Sequence, residues 1–153
     1  MTERVNAFLP LSGGSLPMAG TPMPDFSTTA SSGQLMSQQD LAVGERVFAM
    51  LSTDCPACLD QLATFQQASS ALPAKPIVVV VGQADDRSTM VSELTAHVVV
   101  LEEDAFGPIA TALEISEFPA VMLVRDGYVQ FADHALDPVL AALTQQAPAG
   151  AQH

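Results

Sequence analysis

The sequence predicts an α/β domain in which helices flank a mixed central sheet. Three observations lead to this fold class. Short apolar runs alternate along the chain with stretches of helical periodicity. One run, Ile77 to Val81, is apolar at every position, as expected for a strand covered by helices on both faces. Asp126-Gly127 between two later runs is a strong hairpin signal, which adds an antiparallel strand at one edge.

The composition is that of one folded, acidic domain. Of 153 residues, 48% are hydrophobic and 14% are charged, which excludes a wholly disordered chain. Five Lys and Arg against 17 Asp and Glu give a formal net charge of −12. Nucleic-acid binding needs clustered basic residues, so this partner class is excluded, and an anionic membrane surface is disfavoured for the same reason.

Residues 1–40 are predicted to form a flexible arm ahead of the domain. Ser, Thr, Gly, Pro and Met dominate this segment, and prolines interrupt any regular pattern. Pro24-Asp25-Phe26 is the first expected anchoring point. The segment has no unbroken apolar stretch, so the chain as given is expected to carry neither a signal peptide nor a membrane span.

The predicted domain covers residues 41–146, and its elements follow in order. Arg46 to Leu51 is a short apolar run bounded by turn residues, which indicates a buried strand. Apolar residues at helical spacing after Pro56 predict a helix, and Pro73 ends it. A residual tail, 147–153, is expected to fray. The remaining strands and helices are expected at about 77–81, 85–94, 98–101, 105–113, 120–124, 128–131 and 137–145.

Both cysteines lie in a single Cys-Pro-Ala-Cys motif between the first strand and its helix. Unpaired N–H groups and the helix dipole stabilise a thiolate at a helix N-terminus, so Cys55 is the expected nucleophile. Cys58, one turn further on, can resolve a mixed disulfide. Pro56 suits the first helical position, where its missing N–H costs nothing.

A zinc site and a purely structural disulfide are the alternatives for this pair. Zinc normally takes four ligands, yet the sequence has no second cysteine pair, and His97 and His134 are distant. A disulfide between Cys55 and Cys58 would close too short a loop to constrain the unfolded chain much. Redox exchange is therefore the favoured interpretation, and no metal site is predicted.

Two segments resemble the thioredoxin-like superfamily. Val47 to Cys58 looks like its strand, active-site loop and helix start, and Glu117 to Gly127 looks like its cis-proline loop, strand and hairpin. The lead-in Gly20 to Phe26 resembles the TlpA and peroxiredoxin-like branch. Leu51 to Cys58 is similar to the MauD proteins of methylamine utilisation. The resemblance covers residues 20–145.

The resemblance implies a thiol-disulfide oxidoreductase that exchanges disulfides with protein thiols and needs no bound cofactor. Cys55 would be the exposed nucleophile and Cys58 the buried resolving thiol. Pro119 would follow a cis bond, and the backbone of Phe118 would offer hydrogen bonds to an extended substrate peptide. The expected surroundings of the active site are Asp54, Pro56 and Ala57.

Three positions depart from the pattern of the superfamily. Asp54 stands where many thioredoxins carry Trp, and its negative charge opposes a neighbouring thiolate. Gln61 lies where many TlpA-like reductases have Glu, and Ala49 lies where thioredoxin has a buried Asp that relays protons. The usual internal bases are missing, which leaves the direction of electron flow, reductase or oxidase, open.

Two other functions remain open at this point. A peroxiredoxin-like peroxidase shares the lead-in and the fold; Thr53 precedes Cys55 by two positions, but the expected Pro does not. A redox-inert binding module would use Phe118-Pro119 only to hold a partner strand. For the oxidoreductase, the resemblance implies an upstream electron donor or acceptor, and we expect a monomer. It also implies a place outside the cytoplasmic membrane or attached to it.

Overall fold

The structure, a computed structural model, describes residues 16–151, and side chains within residues 16–143. Strands and helices alternate along most of this part of the chain. The strands are β1 (Ser27–Thr29), β2 (Leu35–Ser37), β3 (Glu45–Ser52), β4 (Ile77–Val81), β5 (Val99–Glu103), β6 (Ala120–Arg125) and β7 (Tyr128–Asp133). The helices are α1 (Pro56–Ala68), α2 (Ala84–Leu94), α3 (Pro108–Ala112) and α4 (Leu136–Ala151), with 3₁₀ turns at Gln38–Leu41 and Ser69–Ala71.

Five strands form one mixed sheet in the order β5-β4-β3-β6-β7. Strands β3, β4 and β5 are parallel, while β6 runs antiparallel to both β3 and β7. Parallel neighbours need a crossover, which α1 supplies between β3 and β4 and α2 between β4 and β5. This arrangement confirms the predicted mixed sheet flanked by helices.

Side chains along β3 point alternately to the two faces of the sheet and so contribute to two separate hydrophobic cores, one on each face. Phe48 and Met50 join the core beneath α3 and residues 16–41. Ala49 and Leu51 join the core beneath α1, α2 and α4, where Phe65 is fully buried. The central strand is buried on both faces and ends at the cysteine motif, so that motif begins from a rigid position.

Residues 16–40 are more ordered than the flexible arm that their composition predicts. Met36 is 1% exposed, and Phe26 packs on Phe48 with ring centroids 6.1 Å apart. Strands β1 and β2 form a small antiparallel pair, and the N–H of Gly20 donates to the carbonyl of Val129 at 2.7 Å. The physical reason is coverage: the five-residue α3 leaves much of this sheet face open, and the arm buries it. Residues 1–15 of the predicted arm lie outside the described residues.

Two helices differ in length from the prediction. Helix α3 begins only at Pro108, because Phe106 before it has a positive φ of 60° and Gly107 is its N-cap. Helix α4 continues to Ala151, past the end expected near Gln145, even though Pro148 and Gly150 disfavour helix in this stretch. Most of the predicted frayed tail is therefore helical. Among residues 16–151 no helix combines the length and the apolar character that crossing a membrane requires.

The Asp126-Gly127 hairpin forms where the sequence predicts it. Both residues have positive φ, 52° and 88°, as the tight turn between β6 and β7 requires. The carboxylate of Asp126 also accepts a hydrogen bond from the N–H of Gly44 at 2.7 Å, which joins the turn to the start of β3. This turn lies at the opposite end of the sheet from the cysteines, because β6 is antiparallel to β3.

Candidate active site

Cys55 is the N-cap residue of α1, placed there by the loop that leaves β3. Its backbone is extended, with φ −119° and ψ 109°, and Pro56 follows at the first position of the helix. The N–H of Cys58 donates to the Cys55 Sγ at 3.1 Å, so the sulfur takes the place of a capping oxygen. A negative charge on this sulfur would be stabilised by that N–H and by the helix dipole.

Cys58 is enclosed where Cys55 is accessible. Cys58 is 0% exposed, and its Sγ accepts a hydrogen bond from the N–H of Ser52 at 3.3 Å. Burial raises the pKa of the Cys58 thiol, and its hydrogen bond with Cys55 raises this pKa further. Both cysteines are free thiols in this structure. The pair therefore consists of one partly exposed sulfur and one buried sulfur that holds its proton.

The loop before β6 meets the cysteines at the same end of the sheet. The peptide bond between Phe118 and Pro119 is cis, in agreement with the expectation from the resemblance. The thiol of Cys55 donates to the carbonyl of Phe118, with 3.3 Å between Sγ and oxygen. Two motifs that are 63 residues apart in sequence thus touch, because β3 and β6 are paired neighbours in the sheet.

The structure also brings together residues that sequence reasoning did not select. Nδ1 of His134 lies 2.9 Å from the carbonyl oxygen of Pro119, and the side-chain oxygen of Gln61 accepts the N–H of Leu136 at 2.9 Å. The short connection between β7 and α4 therefore contacts both the proline loop and the cysteine helix. Counting outward from the predicted Asp126-Gly127 turn pairs His134 with Pro119, and this is the signal that could have found it; a bulge shifts the observed register by one residue.

The remaining predicted site residues lie at the mouth of the motif. Asp54, Pro56 and Ala57 are exposed, and Asp54 borders a cavity of about 440 Å³ that Phe118 also lines. Ala49 is fully buried in the core that contains Cys58, so a methyl group occupies the position at which the resemblance led us to look for a buried Asp. All seven predicted site residues thus stand at or beside one end of the sheet.

The described residues offer no evident metal centre. Within them, no group of three or more His, Cys, Asp and Glu side chains is arranged to hold a metal ion. His97 precedes β5 and so lies at the edge of the sheet remote from the cysteines, while His134 contacts the carbonyl of Pro119. The geometry near Cys55 is that of a dithiol beside a peptide edge.

The sequence matches no known family model and no curated protein, whereas the fold matches many solved structures. The thioredoxin domain of a thiol-disulfide oxidoreductase from Bacteroides vulgatus has a TM-score of 0.70 at 16% identity, over 84% of this chain and 96% of that chain. A thiol:disulfide interchange protein from Bacteroides sp. has a TM-score of 0.68 at 17% identity, over 86% of this chain and 90% of that chain. A thio-disulfide isomerase from Thermus thermophilus has a TM-score of 0.67 at 18% identity, over 84% of this chain and 96% of that chain. At these identities the likeness establishes a common fold, the thioredoxin-like fold.

Proposed function

We propose that this chain, a thioredoxin-like fold with a reactive cysteine pair, is a thiol-disulfide oxidoreductase that acts on protein thiols or disulfides. One observation carries the proposal: the partly exposed Cys55 Sγ caps α1, with buried Cys58 on one side and the carbonyl of Phe118 on the other. This arrangement combines an attacking sulfur, a resolving sulfur and a peptide edge. The names of the structural neighbours agree with this activity.

In the reducing direction, the chemistry passes through one mixed disulfide. The Cys55 thiolate attacks a sulfur of the substrate disulfide, that S–S bond breaks, and the departing substrate thiolate takes up a proton. The sulfur of Cys58 then loses its proton and attacks the Cys55 Sγ. A disulfide between Cys55 and Cys58 forms, and the second substrate thiol leaves. Two electrons pass from the protein to the substrate, and the oxidising direction is the reverse.

The carbonyl of Phe118 links this chemistry to substrate binding. In the free dithiol it accepts the S–H of Cys55. Once Cys55 is part of a mixed disulfide it has no S–H to donate, so the carbonyl is free to accept an N–H from an extended substrate backbone. Pro119 is buried directly after it and holds this edge beside the sulfur. Phe118 and Pro119 are thus the proposed substrate-binding residues.

The finer assignments belong to the same proposal. We assign the chain to the TlpA-like and MauD-like branch, a monomer acting outside the cytoplasmic membrane or attached to it, with a separate electron donor or acceptor. The lead-in segment supports the branch: Pro22 bridges to Tyr128, so this segment is an integral part of the fold. Because Ala49 and Gln61 stand where related proteins have acidic side chains, no internal base at these positions favours one direction of electron flow. The direction then depends on the reduction potential of the cysteine pair.

Cysteine substitutions test the proposal directly. We expect Cys55→Ser to abolish turnover of a protein disulfide, and Cys58→Ser to accumulate a covalent adduct with it that mass spectrometry detects. Titration of the wild-type pair against glutathione then gives the potential and the direction. Full turnover by Cys55→Ser would refute the mechanism, and rapid consumption of hydrogen peroxide with no dithiol exchange would identify a peroxidase instead.

A further inference from the structure

Charge is distributed unevenly between the two ends of the sheet. The parallel strands β3, β4 and β5 end in register at Ser52, Val81 and Glu103, and we call this end, which carries the cysteines, the carboxyl edge. Of the basic residues in the described part of the chain, three lie at the opposite end: Arg46, Lys75 and Arg125. Exposed acidic residues gather at the carboxyl edge, namely Asp54, Asp85, Asp86, Glu102, Asp104 and Glu114.

Among the described residues, Arg87 is the one Lys or Arg at the carboxyl edge, and its guanidinium is already paired with carboxylates. Its guanidinium donates to Glu102 at 3.0 Å, to Asp104 at 2.9 Å and to the carbonyl of Gly82. The hydrogen bond to Asp104 is the largest cause of the raised pKa of Arg87. Asp54 and Glu114, on the other side of this cluster, have no such cationic partner among residues 16–143.

Between these two carboxylates lies the 440 Å³ cavity, which opens beside the cysteine loop. Asp54 and Glu114 line it together with the apolar side chains of Phe106, Ile115 and Phe118. Phe106 is 93% exposed, so its ring is accessible to an occupant of the cavity that it lines. The volume lies in the range of natural ligand pockets and accommodates a large apolar side chain.

We propose that the carboxyl edge selects basic protein substrates: a large apolar side chain next to the substrate cysteine enters the cavity, and flanking Lys or Arg pair with Asp54 and Glu114. This inference rests on the proposed function and specifies its substrate class. The cavity supplies apolar contact, and the carboxylates supply charge complementarity. Phe118 lines the cavity and also accepts from Cys55, so an occupant there lies within reach of the reacting sulfur.

The selection should appear mainly in the rate of association. An acidic surface around a reactive site attracts cations over about 10 Å at 0.1 M salt, and the attraction weakens as salt is added. A basic substrate therefore gains most at low ionic strength. An acidic substrate of the same shape is repelled under the same conditions.

Two matched peptides form the test. Each contains one intramolecular disulfide with Leu next to a cysteine; one has flanking lysines and the other has glutamates in their place. Hydroxyethyl disulfide, small and uncharged, reports the basal chemistry. With a small uncharged dithiol as the electron donor that restores the reduced cysteine pair, we expect the wild-type kcat/KM for the lysine peptide to exceed that for the glutamate peptide by about tenfold or more at low salt. The ratio should fall towards one in high salt.

Three variants separate charge, cavity and chemistry. Glu114→Gln should lower the peptide ratio about threefold, and Phe106→Ala should lower kcat/KM for both peptides while leaving their ratio unchanged. Glu93→Gln is the matched control, because it removes the same single charge and Glu93 lies in the last turn of α2, remote from the cysteines. We expect this control to keep the wild-type ratio and the wild-type rate with hydroxyethyl disulfide.

The outcomes distinguish this inference from the proposed function. Turnover of hydroxyethyl disulfide and of both peptides at equal rates would overturn the charge selection while leaving the oxidoreductase in place. A loss of the ratio in Glu93→Gln as large as in Glu114→Gln would show a general effect of net charge and would also overturn the charge selection. No reaction of the reduced protein with any of the three disulfides, together with no reaction of the oxidised protein with the corresponding dithiols, would refute the oxidoreductase itself.

Discussion

At the scale of single residues, the two cysteines share one motif but differ in environment. Cys55 meets a backbone N–H, a carbonyl and solvent, whereas Cys58 is fully enclosed. The sequence alone predicts their order of action from the helix start. The raised pKa of Cys58 depends on burial in the core formed with α1, α2 and α4, which no local pattern specifies.

Because Cys58 is buried, we expect the free energy of unfolding to fall as the pH rises into the alkaline range. The folded pKa of Cys58 lies above its ordinary value of 9.0, so the unfolded chain loses this proton first as the pH rises. The stabilisation is complete below pH 9 and is lost above it, by up to about 1.4 kcal/mol per pH unit. Urea unfolding of Cys55→Ser between pH 8 and about 10.5 measures the slope.

The control for this slope removes the thiol itself. In the double variant Cys55→Ser with Cys58→Ala, the free energy of unfolding should be lower throughout but should depend less on pH above 9. All other titratable groups are common to the two proteins, so their contributions cancel in the difference. Equal slopes in the two proteins would show that Cys58 ionises as readily folded as unfolded.

At the scale of elements, the cysteine loop is supported by the end of β4. A Cβ on Gly82 would fall on the Oγ1 of Thr53, and Gly82 itself has a φ of 149°. Gly82→Ala should therefore cost about 1–3 kcal/mol of stability and displace the loop that carries Cys55. Chemical denaturation gives the first effect, and the rate of Cys55 alkylation by iodoacetamide reports the second.

A second substitution separates the clash from the backbone conformation. Thr53→Ala removes the Oγ1, so adding it to Gly82→Ala should recover part of the lost stability and most of the alkylation rate. The unfavourable φ remains, and recovery should be incomplete. Strictly additive effects of the two substitutions would contradict a direct contact between these positions.

The connection between β7 and α4 contacts the proline loop and the cysteine helix through two hydrogen bonds. Its His134 holds the carbonyl of Pro119, and its neighbour Leu136 is held by Gln61 of the cysteine helix. Loss of one such hydrogen bond costs about 0.5–1.5 kcal/mol, so His134→Phe should lower kcat/KM for peptide disulfides about twofold to tenfold. His134→Asn keeps a donor and should restore most of this activity. Unchanged kcat/KM in His134→Phe, with the fold intact by circular dichroism, would exclude a positioning role.

At the scale of the whole molecule, the described residues carry their charge unevenly, because six exposed acidic residues lie at the carboxyl edge with Arg87 as the one Lys or Arg there. Arg125 pairs with Glu45 at the far end of the sheet, whereas the carboxyl edge is left with excess acid. The carboxylates at the carboxyl edge repel one another, and added salt screens this repulsion. The protein should therefore gain on the order of 1 kcal/mol of unfolding free energy between low salt and about 0.2 M NaCl.

A variant with fewer charges at the carboxyl edge provides the comparison. Asp54→Asn combined with Glu114→Gln removes two of the repelling carboxylates. It should be more stable than the wild type at low salt and should gain less from NaCl. Sucrose, which carries no charge, gives the baseline for effects other than screening. An identical gain from salt in both proteins would show that repulsion at this edge does not limit stability.

Sequence patterns were sufficient wherever the structure is governed by neighbours along the chain. Ile77 to Val81 is a strand over the predicted residues, since five consecutive β-branched residues favour one in any context. Asp126-Gly127 forms the predicted turn because both residues tolerate positive φ. The prediction was less accurate for α3, where the positive φ of Phe106 shortens the helix, and for residues 16–40, whose polar composition conceals a few buried apolar side chains.

The sequence by itself determined the order of strands and helices from β3 onwards, the cysteine motif at a helix start and the hairpin, because each depends on local conformational preference and hydrophobic period. Only the tertiary structure decided which distant residues meet. The pairing of β3 with β6 places Phe118 on Cys55, the pairing of β6 with β7 places His134 on Pro119, and the parallel register gathers the acidic residues at one edge. Strand register is a property of the packed core as a whole, since a shift by one residue would turn every buried side chain of a strand towards the opposite face.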